Sequence, residues 1–359
     1  MKHARRTNAL VLIALFWGAH VSAQPTNSDV PPDYVATPYG YFHSSCIKEV
    51  SDLERVKEDG EVVDISTGLL KRMLANCDYP TFVRSRASNN GSPPSINGWW
   101  YWAQNVPNTV GMVSLSAQWT VPINGPGTPA GNLYFFPGLQ TSEYAGFILQ
   151  PVLGYNQAGG PSGWSIASWN CCASGNAIHS GFYPVSPGQS IAGHLLGTNC
   201  AFLTGACTNW EVDTSVTTGS GIVTETIYTD SYGHQMDEIF GGVVEAYNVS
   251  CSQMPIPPIY FVNLTAASYP NHPLTWNLST GADETSCAST FTIHNATPTS
   301  VRIAWPCPGC IDGSGTCHTG LESAFCGPAG QACTNCLDLG EICSTTTHTC
   351  HCTKPGGCF

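Results

Sequence analysis

Two side chains in this chain have the type and setting for hydrolytic chemistry without a metal or cofactor, Gln150 and Glu245. In Gly241-Gly242-Val243-Val244-Glu245-Ala246-Tyr247-Asn248-Val249, a period of two puts Val243, Glu245, Tyr247 and Val249 on one face. A carboxyl on such an apolar, aromatic face is desolvated, which moves its pKa up toward the range useful for acid–base work. In Gly146 to Leu153, the same alternation puts Ile148, Gln150 and Val152 together, an amide among aliphatic side chains. A buried amide must be satisfied, at a cost of about 1–3 kcal/mol if it is not, so Gln150 is bonded either within a core or by something in a cleft. If both faces belong to one concave sheet, Glu245 activates water and then protonates a leaving nitrogen, while Gln150 donates to the developing oxyanion.

The elements that must position them read as strands. Runs rich in Val, Ile, Thr, Tyr, Phe and Trp recur between Gly, Pro and Asn: 99–102, 113–121, 133–136, 147–152, 164–169, 190–196, 210–217, 223–229, 242–249 and 259–264. No helical period of useful length stands out. Residues 95–302 are therefore predicted to be all-β, a two-sheet antiparallel β-sandwich of jelly-roll or concanavalin-like type. Residues 1–23 read as a signal peptide: Lys2, Arg5 and Arg6, an apolar stretch, then Val21-Ser22-Ala23. Residues 24–90 hold most of the cations and read as a propeptide held by charge, or as an N-terminal subdomain bridged by Cys46 and Cys77, with a short helix at Leu69–Leu74. Residues 307–359 hold ten of the 18 cysteines and too little apolar content for a core, so disulfides must hold them. All 18 follow residue 23, which favours an oxidising, extracellular compartment, with Cys200–Cys207 the simplest pair to expect. Asn90, Asn248, Asn263, Asn277 and Asn295 each begin a glycosylation sequon.

Charge narrows the partners. Residues 87–301 contain no Lys or Arg but ten Asp or Glu. Phosphate binding needs clustered cations, so a nucleic-acid partner is excluded. No stretch reaches the roughly 20 apolar residues that spanning a membrane needs. A domain with few ion pairs has little to lose when carboxylates protonate, which suits work in acid. The sequence lacks His-Glu-x-x-His and Gly-x-Ser-x-Gly, and Asp213-Thr214 is followed by Ser215 rather than Gly. No cofactor or metal is called for. The two short Cys-x-x-Cys pairs, Cys307/Cys310 and Cys333/Cys336, suit disulfides better than zinc in this compartment.

The order of motifs resembles the glutamic peptidases of the eqolisin family, secreted acid-acting endopeptidases with a β-sandwich fold, and more loosely the neprosin-type peptidases. Ala117-Gln118-Trp119-Thr120-Val121-Pro122 is similar to the family's early strand, and Phe136-Pro137-Gly138-Leu139 to its Trp-Val-Gly-Ile. Ile148-Leu149-Gln150 matches the strand with the catalytic Gln, and Val243-Val244-Glu245-Ala246-Tyr247 the strand with the catalytic Glu. The resemblance spans residues 113–265 and implies Glu245 and Gln150 as catalytic residues, with Trp169, Phe136, Trp119 and Tyr247 lining the peptide site. It departs at Ser168-Trp169-Asn170-Cys171-Cys172, where the family has Tyr-Glu-Trp-Tyr-Pro, and at Gln140, where it has Asp. The expected partner is a protein or peptide substrate of a monomer, with a glycan or cell-wall ligand for the tail. The rival is a non-catalytic or carbohydrate-binding sandwich. Trp99, Trp100, Tyr101 and Trp102 would stack on sugars, and Trp210-Glu211-Val212-Asp213 resembles half of a glucanase motif whose last Glu is Val216 here.

Overall fold

A computed structural model describes residues 30–83, 98–105, 111–123, 131–142, 147–173, 175–249, 254–255, 258–282, 290–305, 309–310, 312–313, 318–328 and 331–352. The expected signal peptide, Asn90 and Cys307 lie outside these residues.

The N-terminal segment forms short strands: β1 (Tyr34–Thr37), β2 (Gly40–His43), β3 (Ile47–Glu49), β4 (Glu54–Val56), β5 (Glu61–Asp64), β6 (Leu70–Met73) and β7 (Phe82–Val83). The helix expected at Leu69–Leu74 is a strand instead. Leu70–Met73 pairs antiparallel with β5 at the edge of a sheet, and ladder hydrogen bonds outweigh helix propensity there. All ten predicted sandwich strands are present as β8 (Trp99–Asn105), β9 (Met112–Thr120), β10 (Asn132–Gln140), β11 (Ile148–Tyr155) and β12 (Trp164–Ala173), then, past β13 (Asn176–His179) and β14 (Tyr183–Pro184), β15 (Ser190–Cys200), β16 (Cys207–Thr218), β17 (Gly221–Thr229), β18 (Glu238–Tyr247) and β19 (Ile259–Ser268). β20 (His272–Pro273), β21 (Leu278–Ala282), β22 (Thr290–His294) and β23 (Thr299–Ala304) complete the set.

These strands make two large sheets. The first runs β21-β8-β18-β10-β11-β12-β13-β3, and the second β22-β23-β19-β9-β15-β16-β17-β4-β5-β6. The core between them takes Leu133, Phe135, Leu149, Leu153 and Val244 from the first sheet and Leu115, Trp119, Leu195, Val212 and Phe261 from the second. The other face of the first sheet is covered as well. The hairpin β1-β2, joined by β7 into a small sheet of its own, lays Ala36, Tyr39, Tyr41 and Phe42 over Trp99, Tyr134, Phe136, Ile148, Val152, Trp169, Val243 and Tyr247. Burial on both faces explains why β18 is buried at every position and why β11 reads as a nearly continuous apolar run.

The N-terminal segment is therefore part of both sheets, since β3 pairs in parallel with β13 and β4 with β17. Cys46–Cys77 closes it, the bridge that the subdomain alternative called for. Arg55 reaches across to the rest of the chain, donating to Asn209 Oδ1 at 3.0 Å. The described ion pairs of its lysines and arginines, Lys57–Glu61, Lys71–Glu54 and Arg72–Glu54, are internal to the segment. Burial pushes the Glu54 carboxyl up, yet hydrogen bonds from Arg72 and Lys71 outweigh this and hold it below its ordinary value. Across the junction, like charges meet: burial, then Asp52 and Glu49, push the Glu225 carboxyl up.

That arrangement sets a pH dependence. Carboxyls whose folded pKa is raised stabilise the fold while protonated, and the contribution is lost as pH rises through the folded pKa. Glu225, Asp230 and Glu211 are all of this kind, burial being the first cause in each. His179, pushed down by burial, works oppositely, and its contribution is lost as pH falls. Glu225→Gln should therefore raise stability at pH 7 by about 0.5–1 kcal/mol, a range reduced for its partial exposure, and change nothing at about pH 3. Thermal melts at the two pH values check this; a gain of equal size at both would rule it out.

In the tail, Cys310–Cys333, Cys326–Cys343 and Cys336–Cys350 are disulfides, so this module is stapled as expected. Cys200–Cys207 also forms. Among the described residues, no helix is long and apolar enough to cross a membrane.

Candidate active site

Glu245 and Gln150 lie on the same face of the first sheet, and both are fully buried. Strand β10 separates them. Glu245 pairs with Tyr134, and Gln150 lies level with Gly138, one step beyond the Leu139–Leu149 pair. Four residues along β10 and two strand spacings across put their backbones about 16 Å apart. In this closed arrangement each end group is held by a different partner. Tyr247 donates its hydroxyl to Glu245 Oε1. Burial, then the Glu245 carboxyl, push the Tyr247 phenol well above its ordinary pKa, so it stays a donor. Tyr134 is pushed up for the same two reasons, in the same order. Gln150 Nε2 donates to the Pro38 carbonyl at 2.5 Å. Its Oε1 is buried with no hydrogen-bond partner, a deficit of about 1–3 kcal/mol.

Removing the phenol tests the Tyr247 contact. Tyr247→Phe should cost about 1–2 kcal/mol of stability, because it leaves Glu245 Oε1 without this donor in a dry site. Chemical denaturation checks it, and a loss below about 0.3 kcal/mol would show that the hydroxyl is not a strong contact.

Phe136, Trp169 and Tyr247 join the same cluster, as the resemblance implies. Trp119 is not brought to it. It belongs to the second sheet and packs between the layers against Phe261, at 5.7 Å between ring centroids.

Sequence alternation missed one carboxyl. Glu238 and Glu245 are seven apart, which strict alternation assigns to opposite faces. A bulge at Gly241-Gly242 inserts one residue in β18, so Phe240 and Val243 both face the hairpin. Glu238 then shares that face, paired across the ladder with Gln140 and level with the residue two beyond Gly138. Both are buried, and Gln140 Nε2 donates to the Tyr39 hydroxyl at 3.4 Å. The Gly-Gly pair was the available signal. A Cβ on Gly242 would come within 2.3 Å of the Phe261 ring, so the bulge needs glycine there for contact reasons.

The sugar-binding features are placed unfavourably. Trp99, Tyr101 and Trp102 are buried, and Trp100 is half-buried against the core between the sheets. Glu211 and Asp213 sit on β16 of the second sheet, where Thr226 donates to Asp213. Burial and then the Asp213 charge push Glu211 up. Four sequon residues, Asn248, Asn263, Asn277 and Asn295, are exposed. The sulfurs of Cys326, Cys336 and Cys350 cluster closely, but all three are oxidised in disulfides and offer no thiolate to a metal.

No family model and no curated protein matches this chain. Among solved structures it is similar to scytalido-glutamic peptidase bound to a peptide-based transition-state analogue, at 13% identity and a TM-score of 0.39. The same enzyme with a transition-state analogue inhibitor gives 14% and 0.40, and SCP-B, a member of the eqolisin family of peptidases, in complex with the tripeptide Ala-Ile-His gives 13% and 0.38. Each alignment covers 58% of this chain and 98% of the other.

Proposed function

We propose that this chain is a secreted, acid-acting endopeptidase in which Glu245 serves as general base and then acid, and Gln150 as the donor to the oxyanion. The observation that carries the reading is the bond from Gln150 Nε2 to the carbonyl of Pro38. A buried amide donating to a peptide carbonyl outside its own sheet already performs the contact that carbonyl attack requires. Glu245 supplies a desolvated carboxyl on the same face, with Tyr247 to orient it. For both to handle one water, the side chains must close the offset along β10 by turning toward each other.

In this reading, residues 24–90 are a propeptide, residues 95–302 the peptidase domain and residues 307–359 an accessory module that takes a glycan or cell-wall ligand. The absence of Lys and Arg from 87–301 and the carboxyls that stabilise the fold when protonated favour work in acid. The wide register offset between Gln150 and Glu245 favours a second reading, a groove that binds extended peptide without cutting it. Hydrolysis of a denatured protein at about pH 3, with wild type, Glu245→Gln, Gln150→Ala and Glu238→Gln compared after removal of the N-terminal segment, separates the two. Equal rates in all four would remove the peptidase assignment.

A further inference from the structure

We infer that the outer face of the first sheet is a peptide-binding groove that the chain fills with its own residues 36–41, and that Gln140 makes it selective for a tyrosine one residue after the carbonyl held by Gln150. The inference deepens the reading above by naming what the groove takes.

The hairpin sits on the first sheet without sharing a ladder with it, because β1, β2 and β7 form a separate sheet. Its polar contacts to the floor are made by side chains. Tyr134 donates its hydroxyl to the Ala36 carbonyl at 2.8 Å, and Gln150 donates to the Pro38 carbonyl at 2.5 Å. The Ala36 carbonyl lies in strand β1 and the Pro38 carbonyl in the two-residue turn Pro38-Tyr39 that joins β1 to β2, so the groove holds the tip of a hairpin. Carbonyls are common to every peptide, so these two contacts fix position without fixing sequence. The third contact does read sequence. Tyr39 is 2% exposed, its ring enclosed by the groove and its hydroxyl met by Gln140 Nε2. Tyr41 packs edge-on against Tyr247, 4.8 Å between centroids, and so lies over the strand that carries Glu245.

Two features distinguish this from a permanent third layer of core. Tyr134 and Gln150 on the floor donate to backbone carbonyls, which any free peptide would also supply. Gln150 Oε1 has no hydrogen-bond partner while the hairpin is seated, so part of the floor's polarity is unused. A segment with an amide nitrogen placed there would use it.

The test uses the full chain with a site-specific protease sequence placed between residues 84 and 97, cut, and exchanged into a large volume. The probes are a synthetic peptide with the sequence of residues 34–43 and its Tyr39→Phe version. Binding is read from the emission of Trp99, Trp102 and Trp169, which form the floor. The tyrosine peptide should bind about fivefold more tightly than the phenylalanine one, the worth of one hydrogen bond. On a Gln140→Leu chain the two should bind equally. Equal binding of both peptides to the wild-type chain, or the same preference on Gln140→Leu, overturns the selectivity. In the uncut chain, Tyr39→Ala should speed amide exchange at residues 34–43 at least tenfold while strands β15 and β16 stay protected; unchanged exchange at 34–43 overturns the groove. Peptide binding without hydrolysis would sustain the groove and remove the peptidase reading. Hydrolysis with no preference for tyrosine would do the reverse.

Discussion

Glu245→Gln should lower peptide hydrolysis by about three orders of magnitude if, as proposed, one group serves as both base and acid, since each role is worth about 10²–10⁴-fold. The fold should survive it. Gln keeps an oxygen for the Tyr247 hydroxyl and nearly the same volume, so stability should move by no more than about 1 kcal/mol. Gln150→Ala should cost about 10²–10³-fold, the usual worth of one oxyanion donor. The double variant should be little worse than Glu245→Gln alone, because groups that act on the same transition state are not additive. Steady-state hydrolysis at about pH 3, with melting curves on the same preparations, checks all three. If Glu238→Gln were inactive and Glu245→Gln fully active, the carboxyl role would pass to Glu238, which lies nearer in register to Gln150.

Thr214→Val should be among the most destabilising isosteric changes in the molecule. Thr214 is fully buried on β16 and ties the two sheets together. Its hydroxyl accepts from the Val152 N–H at 3.2 Å and donates to the Ala167 carbonyl at 3.0 Å. Ser168 Oγ lies 2.9 Å away and donates in turn to the Glu225 carbonyl at 2.7 Å. Valine fills the same space but leaves a buried N–H and a buried C=O unmet, at about 2–4 kcal/mol in total. For a chain of this size that is a fall in Tm of roughly 3–6 °C. Thr214→Ser should recover most of it. A melting temperature within 1 °C of wild type would show that water or a neighbour replaces the hydroxyl. Because Val152 follows Gln150 by two residues on β11, this variant also tests whether the second sheet sets the height of the amide.

Much of this was legible in the sequence, because strands are written in period two. The ten sandwich strands, the shared face of Glu245 and Tyr247, and the disulfides Cys46–Cys77 and Cys200–Cys207 followed from alternation or spacing alone. What was not legible depends on breaks in that period or on distant pairing. Glu238 reaches the same face only because the Gly241-Gly242 bulge shifts the alternation by one. Trp119 looked like a groove residue from its motif, but a strand's own pattern does not say which sheet it joins or which side that sheet turns to the core. Leu70–Met73 carries residues at helical spacing, and only the neighbouring β5 makes it a strand. The along-strand offset of Gln150 from Glu245 is a property of register, and register is set between strands rather than within them.

The strands β3 and β4 have a consequence for what a single backbone cut would do. While the chain is whole, they are tethered next to β13 and β17 at a high local concentration. Once the chain is severed between residues 84 and 97, the same contacts become an association between two molecules and obey mass action. The N-terminal piece would stay seated at high protein concentration and come away on dilution. Proteolysis would then set only the opportunity for the groove to open, and the volume into which the protein is released would set the time.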